Sequence, residues 1–401
     1  MSSIISNRIN KIKPSVTLAI TAKANELKSQ GIDVIGFGAG EPDFDSPDNV
    51  KAAAIAAINS GFTKYTPVGG TEGLKKAIAD HLRDFDGLDY ESKEIFVSCG
   101  AKHTLYNIFQ SIINPDDEVI IPAPYWVSYP DMVLLSDGNP VIVDCSEEAG
   151  FKMTAEQFSS AITEKTKAVV INSPSNPTGA AYTRDELASL AAVAVKNNIF
   201  VISDEIYNKI TYDGFKAISI ATLGEDIKKL TMVVNGVSKS YSMTGWRIGF
   251  VAGDPEIIKA MNKVQGQSTS NPTSISQIAA MEAFGGDQSF VETMLVQFEK
   301  RKNYIVDRLN RIDGVRCLNP AGAFYVFPNI SSFFGKKHKS RLIEDSLGLT
   351  DYLLGEAKVA VVPGSSFGAE GYIRMSYATS MDNIEKGLDR IETALNELGE
   401  N

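Results

Sequence analysis

Between residues 95 and 252 the chain alternates short, unbroken apolar runs with polar segments or segments of helical spacing. The runs fall at 95–97, 119–121, 141–143, 168–171, 199–202, 232–234 and 248–251. Each is continuous rather than alternating, the pattern of strands buried on both faces. The segment 186–194 between two of them has the apolar spacing of a helix. Strand, helix and strand in repetition predict a layered α/β domain around a mostly parallel seven-stranded sheet. The last two runs stand too close for a helix between them, which points to an antiparallel pair. In such sheets ligands sit beyond the carboxyl ends of the strands, so residues just after the runs are the candidates for chemistry.

After residue 290 the pattern changes. A long polar helix at about 290–310 is followed by apolar runs at 323–327, 359–362 and 372–376, which predicts a smaller α+β domain. The first 45 or so residues show no strand–helix rhythm and are assigned to that domain. The expected division is an N-terminal arm (1–12), a small domain (13–46 plus 291–401) and a large domain (47–290). No internal repeat is visible.

Composition narrows the classes of function. The 401 residues are 43% hydrophobic and 22% charged, with a formal net charge of −10. That balance suits a globular chain of two or three domains and argues against a nucleic-acid-binding surface. No window approaches about 18 consecutive apolar residues, so no membrane span is expected. The N-terminus lacks the basic-then-apolar order of a secretory signal. Cys99, Cys145 and Cys317 are odd in number and far apart, which fits reduced thiols in a cytoplasm. Three histidines without paired spacing make a metal site improbable.

The candidate chemistry follows the runs. Lys239 comes just after 232–234, with Arg247 eight residues later. Apolar walls and a neighbouring cation both disfavour an ammonium, so a lysine placed there becomes a nucleophile for a carbonyl. A Schiff base with pyridoxal phosphate needs that amine and a cation for the phosphate. Asp204 directly follows another run; it either caps a helix or faces a pyridinium nitrogen, with Tyr207 one turn on. Asn172-Ser173-Pro174-Ser175-Asn176-Pro177-Thr178-Gly179 is a turn-rich loop that holds Asn176 between prolines. Ser98-Cys99-Gly100-Ala101-Lys102-His103-Thr104 places small residues ahead of a helix expected at 105–109, where backbone N–H groups favour an anion. Neither a nucleotide-hydrolysing phosphate loop nor a dinucleotide fingerprint is present.

Taken together these segments resemble the class I aminotransferases among fold-type I pyridoxal-phosphate enzymes, most closely the aspartate aminotransferases of the bacterial type. The resemblance runs from about residue 13 to the C-terminus. Beyond the loops above it rests on Gly38-Ala39-Gly40-Glu41-Pro42-Asp43-Phe44, Lys64-Tyr65-Thr66-Pro67, Pro124-Tyr125-Trp126-Val127-Ser128-Tyr129-Pro130, Ser203-Asp204-Glu205-Ile206-Tyr207 and Arg374-Met375-Ser376-Tyr377-Ala378. It implies that Lys239 binds pyridoxal 5′-phosphate covalently and later moves the substrate's α-proton. Gly100, Ala101, Ser238 and Arg247 would surround the phosphate, with Lys102 close by and Tyr65 reaching in from a second subunit of a homodimer. Trp126 would stack on the ring or simply fill the core. Asp204 would pair with the ring nitrogen, and Asn176 and Tyr207 with its oxygen.

The same resemblance assigns the substrate. Arg374, helped by Asn176, Trp126 and the Gly40 backbone, would take the α-carboxylate. Animal and enteric relatives bind the distal carboxylate through an arginine near Gly266, and 265–269 contains none. Lys102, with Ser15 and Thr17, matches the bacterial-type alternative; its other reading is a phosphate-side or surface lysine. The implied reaction is ping-pong transfer between L-aspartate/2-oxoglutarate and oxaloacetate/L-glutamate. Amination of prephenate, for which Lys11 stands where some relatives carry an arginine, is one alternative. An alanine, aromatic or kynurenine type of aminotransferase, or a β-lyase, is another.

Overall fold

The seven apolar runs form one sheet in the computed structural model, which describes residues 4–12, 14 and 16–399, with backbone alone for residues 16–18 and 21. Its strands are β1 (Ile95–Ser98), β2 (Glu118–Ala123), β3 (Asn139–Asp144), β4 (Thr166–Asn172), β5 (Phe200–Asp204), β6 (Thr231–Gly236) and β7 (Gly249–Ala252), in the order β1-β7-β6-β5-β4-β2-β3. Pairings from β3 through β2, β4 and β5 to β6 are parallel. β7 is antiparallel to both neighbours, β6 and β1. The expected antiparallel pair is therefore present, and β1 is a second partner of the same reversed strand. This single reversal matters for chemistry. Six strands end at one edge of the sheet, and β7 begins there, so the loop leading into β7 joins the loops leaving the other six.

Both faces of the sheet are covered, as the continuous runs require. Val97, Val233 and Phe250 enter one apolar cluster, and Phe96, Ile121, Val170, Ile202 and Val251 enter another on the opposite face. Helix α1 (Ala101–Ile112) buries Leu105, Ile108 and Phe109 against the second of these. It starts at Ala101, four residues before the apolar spacing alone suggested, because Gly100 takes φ +89° and turns the chain directly from strand into helix. Helix α2 (Arg184–Asn197) opens on a reciprocal capping box between Thr183 and Glu186 and ends at Asn198, whose φ is +54°.

A second sheet of three antiparallel strands, β8 (Tyr325–Val326), β9 (Val362–Pro363) and β10 (Ile373–Ser376), has the order β9-β10-β8. The N-terminal part has more structure than its sequence rhythm suggested. It forms a helix at Val16–Ser29 and a short strand at Ile35–Gly36 that pairs in parallel with Val359–Ala360. The Ser376 amide then donates to the Phe37 carbonyl at 2.7 Å, which fixes this segment against β10.

Helix α3 (Ser289–Leu309) buries Met294, Phe298 and Ile305 in a cluster shared with Tyr207, Ile210 and Tyr212 from the loop after β5. Lys302 lies in that contact fully buried, and its ammonium meets the Asp213 carboxylate at 2.5 Å. A buried ammonium without its partner is expensive, whereas an apolar side chain of similar length in its place is not. Because Asp213 is itself 53% exposed and lets water reach the pair, Asp213→Ala should lower stability by about 1–2 kcal/mol, and Lys302→Met should be near neutral. Thermal midpoints of the two variants test this; equal losses would contradict it.

Candidate active site

At the carboxyl edge the register sets Asn172 of β4 beside Asp204 of β5. The Asn172 side-chain amide donates to the Asp204 carbonyl at 2.9 Å, and its oxygen accepts from the Asn176 amide at 2.8 Å. The proline-flanked loop is thereby folded back so that Asn176 faces the second sheet. The Asp204 side chain is buried. Its Oδ2 accepts from the Tyr129 hydroxyl at 2.6 Å and its Oδ1 from the Ile206 amide at 3.3 Å. Burial nevertheless outweighs these bonds and pushes the carboxyl up to about 6.

Lys239 leaves β6 through the turn at Ser238, and its ammonium donates to the Gly40 carbonyl at 2.6 Å. Burial, more than any neighbour, pulls its pKa down to about 8. Glu41 opposes the shift, while Arg247 and Arg374 add to it. Arg247 arrives from the other direction, on the loop entering the reversed strand β7, with its own φ at +57°. Its guanidinium donates to the Thr244 carbonyl at 2.8 Å and the Cys99 carbonyl at 3.3 Å.

The glycines here leave room for a close backbone approach. A Cβ added at Gly100 would stand 2.4 Å from Arg247 Nη2, and one at Gly249 would stand 2.2 Å from the Ala101 nitrogen. The first amides of α1 have no partners within the helix and face the same place as the arginine. Helix terminus, guanidinium and the buried Ser238 together suit a phosphate.

The other end of the cleft is built on the second sheet. Arg374 of β10 is buried, donates to Asn176 Oδ1 at 2.9 Å and the Gly38 carbonyl at 2.8 Å, and leaves its Nε without a partner. Its guanidinium lies between two rings, 4.6 Å from Tyr325 and 5.0 Å from Phe367. The Tyr207 and Tyr325 hydroxyls meet at 2.9 Å, and burial holds both phenols above their ordinary pKa.

These groups share one cleft of about 570 Å³. Among the residues singled out from the sequence, Gly40, Ala101, Lys102, Trp126, Asn176, Asp204, Tyr207, Ser238, Lys239, Arg247 and Arg374 line it. Gly100 lies behind the Arg247 guanidinium. Lys102 has its ammonium 4.8 Å from the Trp126 ring, and burial, then Arg247, lowers its pKa. Tyr65 is 91% exposed and outside the cleft of its own chain. Ser15 lies outside the described residues, as does the side chain of Thr17.

Among the cleft residues that were not singled out are Tyr129, Tyr325, Glu41 and Thr244. Glu41 and Thr244 bond to each other at 2.7 Å and join the segment at 38–46 to the loop before β7. Tyr129 sits three positions after Trp126, in the first turn of the helix Ser128–Leu135, and the aromatic-rich sequence there was the available signal. Tyr325 is hidden in an ordinary apolar run.

Residues 32–391 match the family described as aminotransferase class I and II. The chain is 52% identical over 392 residues to an aspartate aminotransferase of Bacillus sp. (strain YM-2), covering 98% of this chain and 99% of that one. It is also 52% identical to a protein of Rickettsia bellii (strain RML369-C) named as a probable aspartate/prephenate aminotransferase, over 99% of this chain and all of that one. The crystal structure of the aspartate aminotransferase from Rhizobium meliloti superposes with a TM-score of 0.96 at 45% identity, covering 99% of this chain and 100% of that one. With two lysines, two arginines and a buried aspartate converging on a cleft in this fold, the chain belongs to the class I and II aminotransferases.

Proposed function

We propose that the cleft holds pyridoxal 5′-phosphate and transfers the amino group between L-aspartate/2-oxoglutarate and oxaloacetate/L-glutamate. The observation that carries this reading is the placement of Lys239, with a pKa near 8, between Arg247 and Arg374 in one cleft. The cradle at Gly100 and Gly249, which a Cβ on either would fill, fits the phosphate of such a cofactor. Arg247, Ser238 and the backbone at Ala101 would hold it there. Asp204 would keep the ring nitrogen protonated, Asn176 and Tyr207 would bond the ring oxygen, and Trp126 would cover one face. When bound, the cofactor supplies a conjugated ring that draws off the electron pair left by breaking the Cα–H bond.

The chain supplies binding and proton transfer. Arg374 offers the α-carboxylate of the amino acid a fixed, dry guanidinium, since Asn176, Gly38 and two ring faces already hold it in place. Lys102, an exposed residue with its ammonium over the Trp126 ring, is the cation for a distal carboxylate. The Lys239 amine then takes the proton from Cα, which a lysine near pKa 8 does far more readily than one at 10.5. Only a substrate bearing two carboxylates uses both outer cations, which favours aspartate and glutamate over alanine or aromatic amino acids. Lys11, the position that would favour prephenate, pairs with Asp137 at 3.2 Å and is exposed, so the aspartate/glutamate reading is preferred.

A second copy of the chain would complete the site. Tyr65 is exposed, and so are Ile55 and Ile58 on the nearby helix Asp48–Asn59, an apolar surface that a homodimer would cover. The free thiols of Cys99, Cys145 and Cys317 suit a cytoplasmic enzyme.

Lys102→Ala should lower kcat/KM for L-aspartate on the order of 100-fold and leave L-alanine almost unchanged. Equal losses for both would mean general damage and would remove the specificity argument. Lys239→Ala should abolish transamination of every amino acid, and normal turnover by that variant would sink the reading.

Burial of Asp204 adds a pH test in the cofactor-free protein. Its carboxyl titrates near 6 when folded, against an ordinary 3.8. At acid pH both states are protonated and burial is free. As pH rises the folded state clings to its proton, and the cost grows to roughly 3 kcal/mol above pH 6. Asp204→Asn should therefore stabilise the cofactor-free protein, by on the order of 1 kcal/mol more at pH 8 than at pH 5. A gain independent of pH, read from thermal midpoints, would contradict this account.

A further inference from the structure

We propose that Tyr325 is a positioning residue that couples the Arg374 clamp to Tyr207: its ring carries the guanidinium and its hydroxyl sets the direction in which Tyr207 donates. The proposal rests on the functional reading above, but its grounds are in this chain's own geometry. Tyr325 is completely buried on β8, opposite Ser376 of β10 and two residues from the level of Arg374. Its ring lies 4.6 Å from the Arg374 guanidinium, and its hydroxyl is 2.9 Å from that of Tyr207. The two phenol rings meet edge to face at 5.8 Å, so the hydroxyl contact is held by packing on both sides. A Cβ built at Gly40, whose carbonyl holds Lys239, would stand 3.2 Å from the Tyr325 oxygen. One side chain thus meets the carboxylate clamp, the tyrosine of the loop after β5 and the segment that holds the reactive lysine.

Proton counting turns that contact into a function. Two phenols 2.9 Å apart have two protons, and only one can lie between them. Their surroundings decide which. The Tyr325 ring is pinned under a guanidinium, while Tyr207 lines the cleft where an acceptor oxygen of the cofactor would sit. If Tyr325 donates to Tyr207, the Tyr207 proton is free to point into the cleft. A phenol that is itself accepting a hydrogen bond is also a stronger donor, because the bonds polarise one another. A carboxylate arriving on Arg374 offsets the positive charge over the Tyr325 ring and so alters how strongly its hydroxyl donates to Tyr207. Carboxylate binding at one end of the cleft is thereby linked to hydrogen bonding at its centre.

Tyr325→Phe removes the hydroxyl and keeps the ring; Tyr325→Leu removes both. With the cofactor-loaded protein, the pH at which the visible cofactor band changes should rise in Tyr325→Phe by roughly half to one pH unit, because one hydrogen bond to the anionic form is weakened. Its kcat for L-aspartate should fall about 10-fold while KM stays within about twofold, since the ring under Arg374 remains. Tyr325→Leu should in addition raise KM about 10-fold. In a Tyr207→Phe background, Tyr325→Phe should cause no further shift of the band, because the partner through which it acts is gone. A Tyr325→Phe variant with unchanged band and kcat would overturn the proposal, as would a full shift persisting in the Tyr207→Phe background. A wild-type protein that shows no cofactor band or no aspartate turnover would instead overturn the functional reading, before any variant is compared.

Discussion

Desolvation of a single ammonium is the constraint on which the rest of the site depends. Lys239 shares its cleft with Arg247 and Arg374, with Lys102 a further, more exposed cation at the Trp126 ring, and among the described residues its ammonium hydrogen-bonds to the Gly40 carbonyl. In water three such cations would all remain charged. Out of water the least stable charge is the one that can be given up, and only the lysine can give it up, because guanidinium groups hold their protons far more tightly. Burial therefore sorts the three by chemical type: two permanent anion receptors and one amine near pKa 8. Asp204 is sorted by the same means in the opposite sense, as burial raises it toward neutrality until a cationic partner arrives.

Strand direction is what brings these groups together. A uniformly parallel sheet would send the segment before β7 to the far edge, away from Lys239. Because β7 runs opposite to its neighbours, Arg247 enters at the edge where β1, β5 and β6 end, beside the first turn of α1. The second sheet brings Arg374 from a position more than a hundred residues later. The segment at 38–46 then lies across both, tied by Lys239 to Gly40, Thr244 to Glu41 and Arg374 to Gly38. Each of these bonds joins residues about 200 or more positions apart, so the cleft exists only once the whole chain has folded.

The large sheet was legible because strands buried on both faces leave unbroken apolar runs, and all seven appear where those runs lie. The proposed phosphate cradle was legible through its glycines and Arg247. What the sequence concealed acts through tertiary contact. Tyr129 reaches Asp204 across 75 positions and Tyr325 reaches Tyr207 across 118, and a tyrosine in an apolar stretch carries no sign of where its hydroxyl will end. The helix at Val16–Ser29 was missed because its apolar face is weak and its polar residues are spread around it. Tyr65, which the proposed reading assigns to the cleft of a second copy, lies on the surface of its own chain.

The most direct test of the account is an absorption spectrum of the cofactor-loaded protein before and after adding L-aspartate, with no amino acceptor present. The account predicts that the visible cofactor band is lost, that a near-ultraviolet band of the aminated cofactor grows, and that about one equivalent of oxaloacetate appears per site. A visible band that persists with L-aspartate but disappears with L-alanine or an aromatic amino acid would contradict the assignment of Arg374 and Lys102 as a paired receptor for dicarboxylates.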